Sequence, residues 1–245
     1  MKVALVIPSY NSSKFLSNCV QSAAAQSYDN LKIYIYDNNS TDGSYEMANN
    51  LASQSDIIDV VQVENIYKNS YREAFDHSFQ NLDFDYITFL AADDYISKKY
   101  ISSYMSIISK SSNKIKCIQS YAQGVLNDRV VEKLSNDYKS LNSFKQLCLS
   151  KSPVVTPTVM YHKSIYEFLT PKAHLDNSVE FAGAEDYDMY CNLADKKIFI
   201  YPVPKMLGYY YRWHDDQSTW QVSKNKKNLD YDKMIQEYWS KKWQV

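Results

Sequence analysis

Two hydrophobic periods alternate along the first half of the chain. Val3-Ala-Leu-Val-Ile7 is an unbroken apolar run that stops at Pro8, the pattern of a strand buried on both faces. Ser12 or Ser13 then offers a cap to a helix carrying Phe15, Leu16, Cys19, Val20 and Ala23 at helical spacing. Leu31–Tyr36 predicts a second strand ending at Asp37, and Ser40-Thr-Asp-Gly43 supplies cap chemistry for a helix through Tyr45, Met47, Ala48 and Leu51. Ile57–Val63 reads as a third strand and Tyr67–Leu82 as a third helix. Tyr86–Leu90 is a fourth strand running into Ala91-Ala-Asp-Asp94, and Ser97 can cap the helix after it, through Tyr100, Ile101, Tyr104, Ile107 and Ile108.

Strand–helix units of about 30 residues imply an α/β fold, a mostly parallel sheet with helices on both faces. Ligands of such sheets sit at the carboxyl ends of the strands. Three of the four predicted strands end in polar or acidic residues: Pro8-Ser-Tyr-Asn11, Asp37-Asn-Asn-Ser40 and Asp93-Asp94. Those ends should converge on one cleft. Beyond residue 112 the pattern loosens. A strand is expected at Ile115–Tyr121, a helix at Ala184–Leu193, and strands at Phe199–Tyr201 and Leu207–Trp213, while 123–180 gives short, mixed signals broken by Ser152-Pro and Thr156-Pro-Thr. With no internal repeat, one compact domain with a less regular second half is expected.

Composition narrows the chemistry. The 245 residues hold 27 basic and 28 acidic side chains, a net charge of −1, so no global field draws in nucleic acid. Only four glycines occur (Gly43, Gly124, Gly183 and Gly208), too far apart for a glycine-rich phosphate cradle. A bound nucleotide would therefore need side chains or a metal to hold its phosphates. Cys19, Cys117, Cys148 and Cys191 form no CxxC pair, and neither a signal segment nor a run of ~20 apolar residues is present, so a reduced, cytoplasmic protein is expected. The 23 tyrosines fit drift in an AT-rich genome.

The carboxylates carry the candidate chemistry. Asp93-Asp94 directly after a strand is either a turn pair or a metal site. In the second reading one carboxylate ligates Mg²⁺ or Mn²⁺, and substrate phosphates fill the rest of the shell. Glu185-Asp186 opens a helix, where acidic residues are favoured electrostatically, or else supplies a general base for an attacking hydroxyl. His214 reads as a metal ligand, a proton carrier or a surface histidine.

Taken in order, Val6-Ile-Pro-Ser-Tyr-Asn11, Ile35-Tyr-Asp-Asn-Asn-Ser-Thr-Asp-Gly-Ser44, Phe89-Leu-Ala-Ala-Asp-Asp94, Gly183-Ala-Glu-Asp186 and Tyr211-Arg-Trp-His214 resemble the family 2 glycosyltransferases, with the A-type nucleotide-sugar-binding fold. The resemblance implies an inverting, metal-dependent transferase that moves a sugar from a UDP-hexose or UDP-N-acetylhexosamine to a glycan or lipid-linked glycan in bacterial surface polysaccharide synthesis. By the same resemblance Pro8 and Tyr10 line the base pocket, Tyr10 stacking on uracil, and Asp37 accepts a hydrogen bond from the base. Arg72 lies near base and phosphates, Asp93 contacts the ribose, Asp94 and His214 approach the Mn²⁺ or Mg²⁺, Asp186 is the general base and Glu185 supports it or faces the acceptor. Two departures stand out: Ala91 replaces an acid that many members carry two positions before Asp93, and Tyr67 and Glu73 replace the usual glycine and asparagine around the arginine. The expected division is a transferase domain over 1–220, with a nucleotide-sugar half (1–112) and an acceptor and catalytic-base half (113–220), followed by a basic, aromatic helix over 221–245.

That tail has two readings: a helix packed on the core or on a second copy in a homo-oligomer, or a peripheral contact of 224–245 with the inner face of the cytoplasmic membrane. Rival functions are a non-catalytic nucleotide- or glycan-binding module, and a nucleotidyltransferase, which would need the glycine-rich basic loop this chain lacks.

Overall fold

The computed structural model describes residues 1–63, 70–169, 184–203, 205–217 and 231–244. The expected strand–helix alternation is present: β1 (Val3–Ser9), α1 (Leu16–Ala24), β2 (Leu31–Asp37), α2 (Ser44–Ala52), β3 (Ile58–Gln62), α3 (Ser70–Asn81) and β4 (Tyr86–Phe89). β1 lies between β2 and β4, parallel to both, and all seven of its residues are buried. An apolar strand with no polar alternation can sit only in the middle of a sheet covered on both faces. The chain winds outward through β2 to β3 and then returns across β1 to β4, so the loops after β1 and β4 diverge and open a crevice at their carboxyl ends.

The second half extends this sheet and adds another. β5 (Tyr95–Ile96) and α4 (Tyr100–Lys110) lead to β6 (Cys117–Gln119), β7 (Ala122–Leu126), β8 (Arg129–Leu134) and α5 (Leu141–Cys148). After a 3₁₀ turn at Thr156–Thr158 come β9 (Met160–His162), α6 (Glu185–Asp195), β10 (Tyr201–Pro202), β11 (Tyr209–Arg212) and α7 (Tyr231–Trp243). The large sheet has the order β10-β6-β9-β4-β1-β2-β3, with β9 alone running against its neighbours; the small sheet has the order β5-β11-β7-β8. One face of the large sheet is covered by α1, α2 and α4, the other by α3, α5, α6 and α7.

Three expected side-chain caps are absent. α1, α2 and α4 start after Phe15, Gly43 and Lys99, with no side-chain cap on any of them. Ser12 and Ser13 serve the neighbouring loop instead, and the Ser97 amide donates to the Gly208 carbonyl at 2.8 Å.

α7 decides between the two readings of the tail as far as 231–244 are concerned. Ile235 and Trp239 are fully buried in the core, Trp239 Nε1 donates to Asp188 on α6 at 2.6 Å, and Trp243 Nε1 donates to Asp195 at 3.0 Å. Ile235 and Trp239 of the expected face are thus packed on the core, while Met234 stays exposed; Lys224–Asp230 lies outside the described residues. Among the described residues no helix is long and apolar enough to cross a membrane. Trp239→Ala should cost about 3–5 kcal/mol from the cavity and lost contacts. In a chain of this size that is a fall in melting temperature of roughly 10 °C, checked by thermal denaturation.

Candidate active site

The loops after β1 and β2 are stitched to each other by polar side chains. Asn11 and Asn39 take left-handed backbone, φ 48° and 60°, which asparagine tolerates well. Asn11 Oδ1 accepts from the Thr41 amide at 2.8 Å, Ser40 Oγ accepts from the Asn11 amide at 3.0 Å, and Ser44 Oγ accepts from the Ser12 amide at 2.8 Å. Asp42 closes the seam by accepting from the Ser13 amide at 2.9 Å and the Ser44 amide at 3.0 Å. Partial burial alone would raise its carboxyl, but the bonds from Ser44 and Ser13 outweigh that and bring it down to about 2. Ionised Asp42 therefore holds the two loops together at any physiological pH.

The ends of β1 and β2 beside this seam carry unmet polar demand. Asp37, at the end of β2, is fully buried; its Oδ2 accepts from the Ser40 amide at 3.0 Å, while Oδ1 is buried without a partner among the described residues. Ser9, its register neighbour at the end of β1, is also buried, and its Oγ likewise has no partner. Each such group costs about 1–3 kcal/mol unless a ligand completes it. Pro8 is buried within β1, whereas Tyr10 stands 45% exposed at the strand's end, an aromatic face open to stacking. Arg72 falls in the first turn of α3, and its side chain lies outside the described residues.

The turn after β4 sends its two acids in different directions. Asp94 is fully buried, accepting from Tyr209 Oη at Oδ2 and from the Arg212 amide at Oδ1, both at 2.8 Å. The Tyr209 hydroxyl also accepts from the Ala91 amide at 3.3 Å, so one phenol clamps both ends of Ala91–Asp94. Burial, and then the neighbouring Asp93, push the Asp94 carboxyl well above its usual range. Asp94, expected to approach a metal, is closed off from solvent, and each of its oxygens is engaged by the fold. Asp93 keeps part of its side chain exposed, and its Oδ2 lies 2.9 Å from His214 Nε2.

His214 is placed by packing. The Trp213 amide donates to Val125 at 2.8 Å, and the Trp213 ring lies over Gly124, where an added Cβ would come within 2.9 Å of it. The His214 ring rests against Phe15, with centroids 4.6 Å apart, and its Nδ1 is buried without a partner among the described residues. Arg212 places its guanidinium between the Phe15 and Tyr95 rings and donates to Asn18 at 3.0 Å.

Asp93 and His214 bring together one carboxylate and one imidazole, donor types that a divalent ion accepts, and in the free protein they bond directly to each other at 2.9 Å. Among the described residues no third His, Cys, Asp or Glu joins them.

The last group is on α6. Glu185 and Asp186 occupy its first turn, each half-buried. Asp186 Oδ2 accepts from the Thr156 hydroxyl at 2.5 Å, and Oδ1 accepts from the Tyr187 amide at 2.8 Å. Burial pushes the Asp186 carboxyl up, against the downward pull of the Thr156 hydroxyl and the Tyr187 amide. A carboxylate raised in this way is better matched to taking a proton near neutral pH.

Residues 4–169 match the family model for glycosyl transferase family 2. The chain belongs to that family. Glycosyltransferase GlyG of Streptococcus pneumoniae serotype 4 is 26% identical over 208 residues, covering 81% of this chain and 67% of the relative. A Campylobacter jejuni protein described as GalNAc(5)-diNAcBac-PP-undecaprenol beta-1,3-glucosyltransferase is 25% identical over 232 residues, covering 91% and 69%. Glycosyltransferase GlyA, also of S. pneumoniae, is 28% identical over 102 residues, and the chain spans only 14% of its length. Among solved structures, residues 1–349 of Staphylococcus aureus TarS in complex with UDP-GlcNAc superpose with a TM-score of 0.66 at 20% identity, covering 91% of this chain and 61% of that one. That likeness is one of fold, and it agrees with the expected A-type architecture. Asp186 and His214 fall beyond the residues matched to the family, so their placement rests on the geometry above.

Sequence reading did not single out Ser9, Tyr209 or Thr156. Ser9 could have been found, since it follows Pro8 at the end of a buried strand. Tyr209 and Thr156 gave no signal, because their partners lie 115 and 30 positions away.

Proposed function

We propose that the chain is an inverting glycosyltransferase of bacterial glycan synthesis that uses a UDP-sugar and a divalent ion. The observation that carries this reading is the buried, unpartnered Oδ1 of Asp37 beside exposed Tyr10. A carboxylate oxygen only accepts, so it calls for an N–H on the base edge. The uracil imide supplies one at N3, where cytosine has an acceptor. TarS, which shares the fold, has been crystallised with UDP-GlcNAc and with UDP. The description of the Campylobacter relative names a polyprenol-diphosphate-linked glycan, which supports a lipid-linked acceptor.

In this reading Asp93 and His214 hold the ion, which when bound offsets negative charge gathering on the leaving diphosphate. Tyr10 stacks on the base, and Asp37 and Ser9 fix its edge. Asp186 takes the proton of the acceptor hydroxyl as that oxygen bonds to the anomeric carbon. The bond from that carbon to the diphosphate breaks, UDP leaves with the electron pair, and the configuration inverts.

Thermal melting with UDP, CDP and GDP, each with Mn²⁺ and with EDTA, tests the proposal, because a ligand of the native state raises its apparent stability. UDP with Mn²⁺ should give the largest shift, and Asp37→Ala should weaken UDP binding by about 10- to 100-fold, the value of a charge-assisted hydrogen bond. An equal response to CDP, or none to any nucleotide in folded protein, would overturn it.

A further inference from the structure

We infer that Thr156 is a positioning residue for Asp186: its hydroxyl fixes the carboxylate that takes the acceptor proton. The inference rests on the proposed role of Asp186 and extends it to a residue that would otherwise read only as a turn.

Three observations converge. The contact is short, 2.5 Å from Thr156 Oγ1 to Asp186 Oδ2, as expected for a hydroxyl donating to an ionised carboxylate. It joins two elements that share no local sequence, the 3₁₀ turn Thr156–Thr158 and the first turn of α6. The turn itself is anchored at many points. The Val155 amide donates to Gln119 Oε1 at 3.1 Å, and the Val159 carbonyl accepts from Thr88 Oγ1 of β4 at 3.0 Å. Fully buried Thr158 donates to the Ser120 carbonyl at 3.0 Å, and its own carbonyl accepts from Tyr104 Oη of α4 at 2.5 Å. Tyr100 Oη links the Tyr104 hydroxyl, at 3.1 Å, to Ser120 Oγ, at 2.9 Å.

Thr156 thus stands on a rigid polar network that belongs to β4, β6 and α4. Through one hydroxyl it ties the base to the half of the chain that carries Asp37 and Asp93. A catalytic group needs its rotamer held by supporting bonds to within a fraction of an ångström. With Oδ1 taken by the Tyr187 amide and Oδ2 by Thr156, the carboxylate plane is fixed. Thr156 also favours the ionised form, which is the form that can accept a proton.

The test compares Thr156→Val, Thr156→Ser and Asp186→Asn with the parent chain. It follows UDP release from whichever of UDP-glucose and UDP-GlcNAc the parent turns over faster, with UDP binding and melting temperature measured alongside. Thr156→Val should lower kcat on the order of 10-fold or more, leave KM and UDP affinity within about twofold, and move the acid limb of the rate profile to higher pH. Thr156→Ser, which keeps the donor, should restore the parent's pH limb and most of its kcat. Should the valine variant not fold, Thr156→Ala takes its place. A valine or alanine variant with the parent's kcat and pH limb, beside an inactive Asp186→Asn, would overturn the positioning role alone. An active Asp186→Asn, or a parent that releases no UDP, would overturn it together with the function on which it rests.

Discussion

Asp186→Asn should lower sugar transfer by about 10²- to 10⁴-fold, the usual contribution of a general base, while UDP binding with Mn²⁺ stays at the parent's level. The amide is close to isosteric: its oxygen can keep the Tyr187 amide bond while its NH2 donates to the Thr156 hydroxyl, so the variant removes the base and little else. Activity of the parent should fall on the acid side as Asp186 is protonated. That limb should lie above the ordinary carboxylate range, because burial raises the group. The same shift has a consequence for folding. A carboxyl with a raised folded-state pKa binds its proton more tightly folded than unfolded, so its contribution to stability declines as pH rises from the unfolded value through the raised one. At neutral pH, Asp186→Asn should accordingly melt no lower than the parent. A variant that keeps full transfer rates, or loses nucleotide binding along with them, would remove Asp186 from the role of base.

Asp93→Ala and Asp94→Ala should fail in opposite ways. Asp93 is partly exposed and its carboxylate contact is to His214, so its loss should leave the melting temperature of the free protein nearly unchanged. The stabilisation by UDP that depends on Mn²⁺ should disappear, as it should in His214→Ala. Asp94→Ala instead takes the acceptor from the buried Tyr209 hydroxyl and the Arg212 amide. Leaving those donors unmet costs about 1–3 kcal/mol each, and each kcal/mol is worth about 2–4 °C in a chain of this size. Melting curves of both variants, with and without UDP and Mn²⁺, separate the two. An Asp94→Ala protein that melts like the parent yet no longer responds to the metal would return the ion to Asp94.

Adjacent acids show how far sequence reaches and where it stops. The four strand–helix units were legible because β1 is a continuous apolar run, the other three strands are short runs rich in Ile, Val and Tyr, and each covering helix keeps its period. Asp37 and Asp93-Asp94 were legible because acids at strand ends in such a sheet mark the ligand edge. Which of two neighbouring aspartates faces the cleft was not, because the choice is made by Tyr209 and Arg212 on β11. β9 was missed for a related reason: its three residues follow Thr156-Pro-Thr and pair antiparallel between β4 and β6, with no helical crossover to announce them. Ser12 and Ser13 have the side chains of cap residues, but it is their backbone amides that are engaged, donating to Ser44 and Asp42 about 30 positions away, which the sequence around them does not announce.

The clamp on the Ala91–Asp94 turn also sets an order of events during synthesis. β11 inserts between β5 and β7 of the small sheet, and Asp93 meets a histidine 121 positions later in the chain. At cellular elongation rates of about 5–20 residues per second, Asp93 leaves the ribosome roughly 6–24 s before that histidine. Through this interval Asp94 has neither of its donors, and Asp93 has no partner with which to share an ion. A nascent chain can pair β1 with β2 early, but the Asp93–His214 contact forms only after residue 214 has emerged.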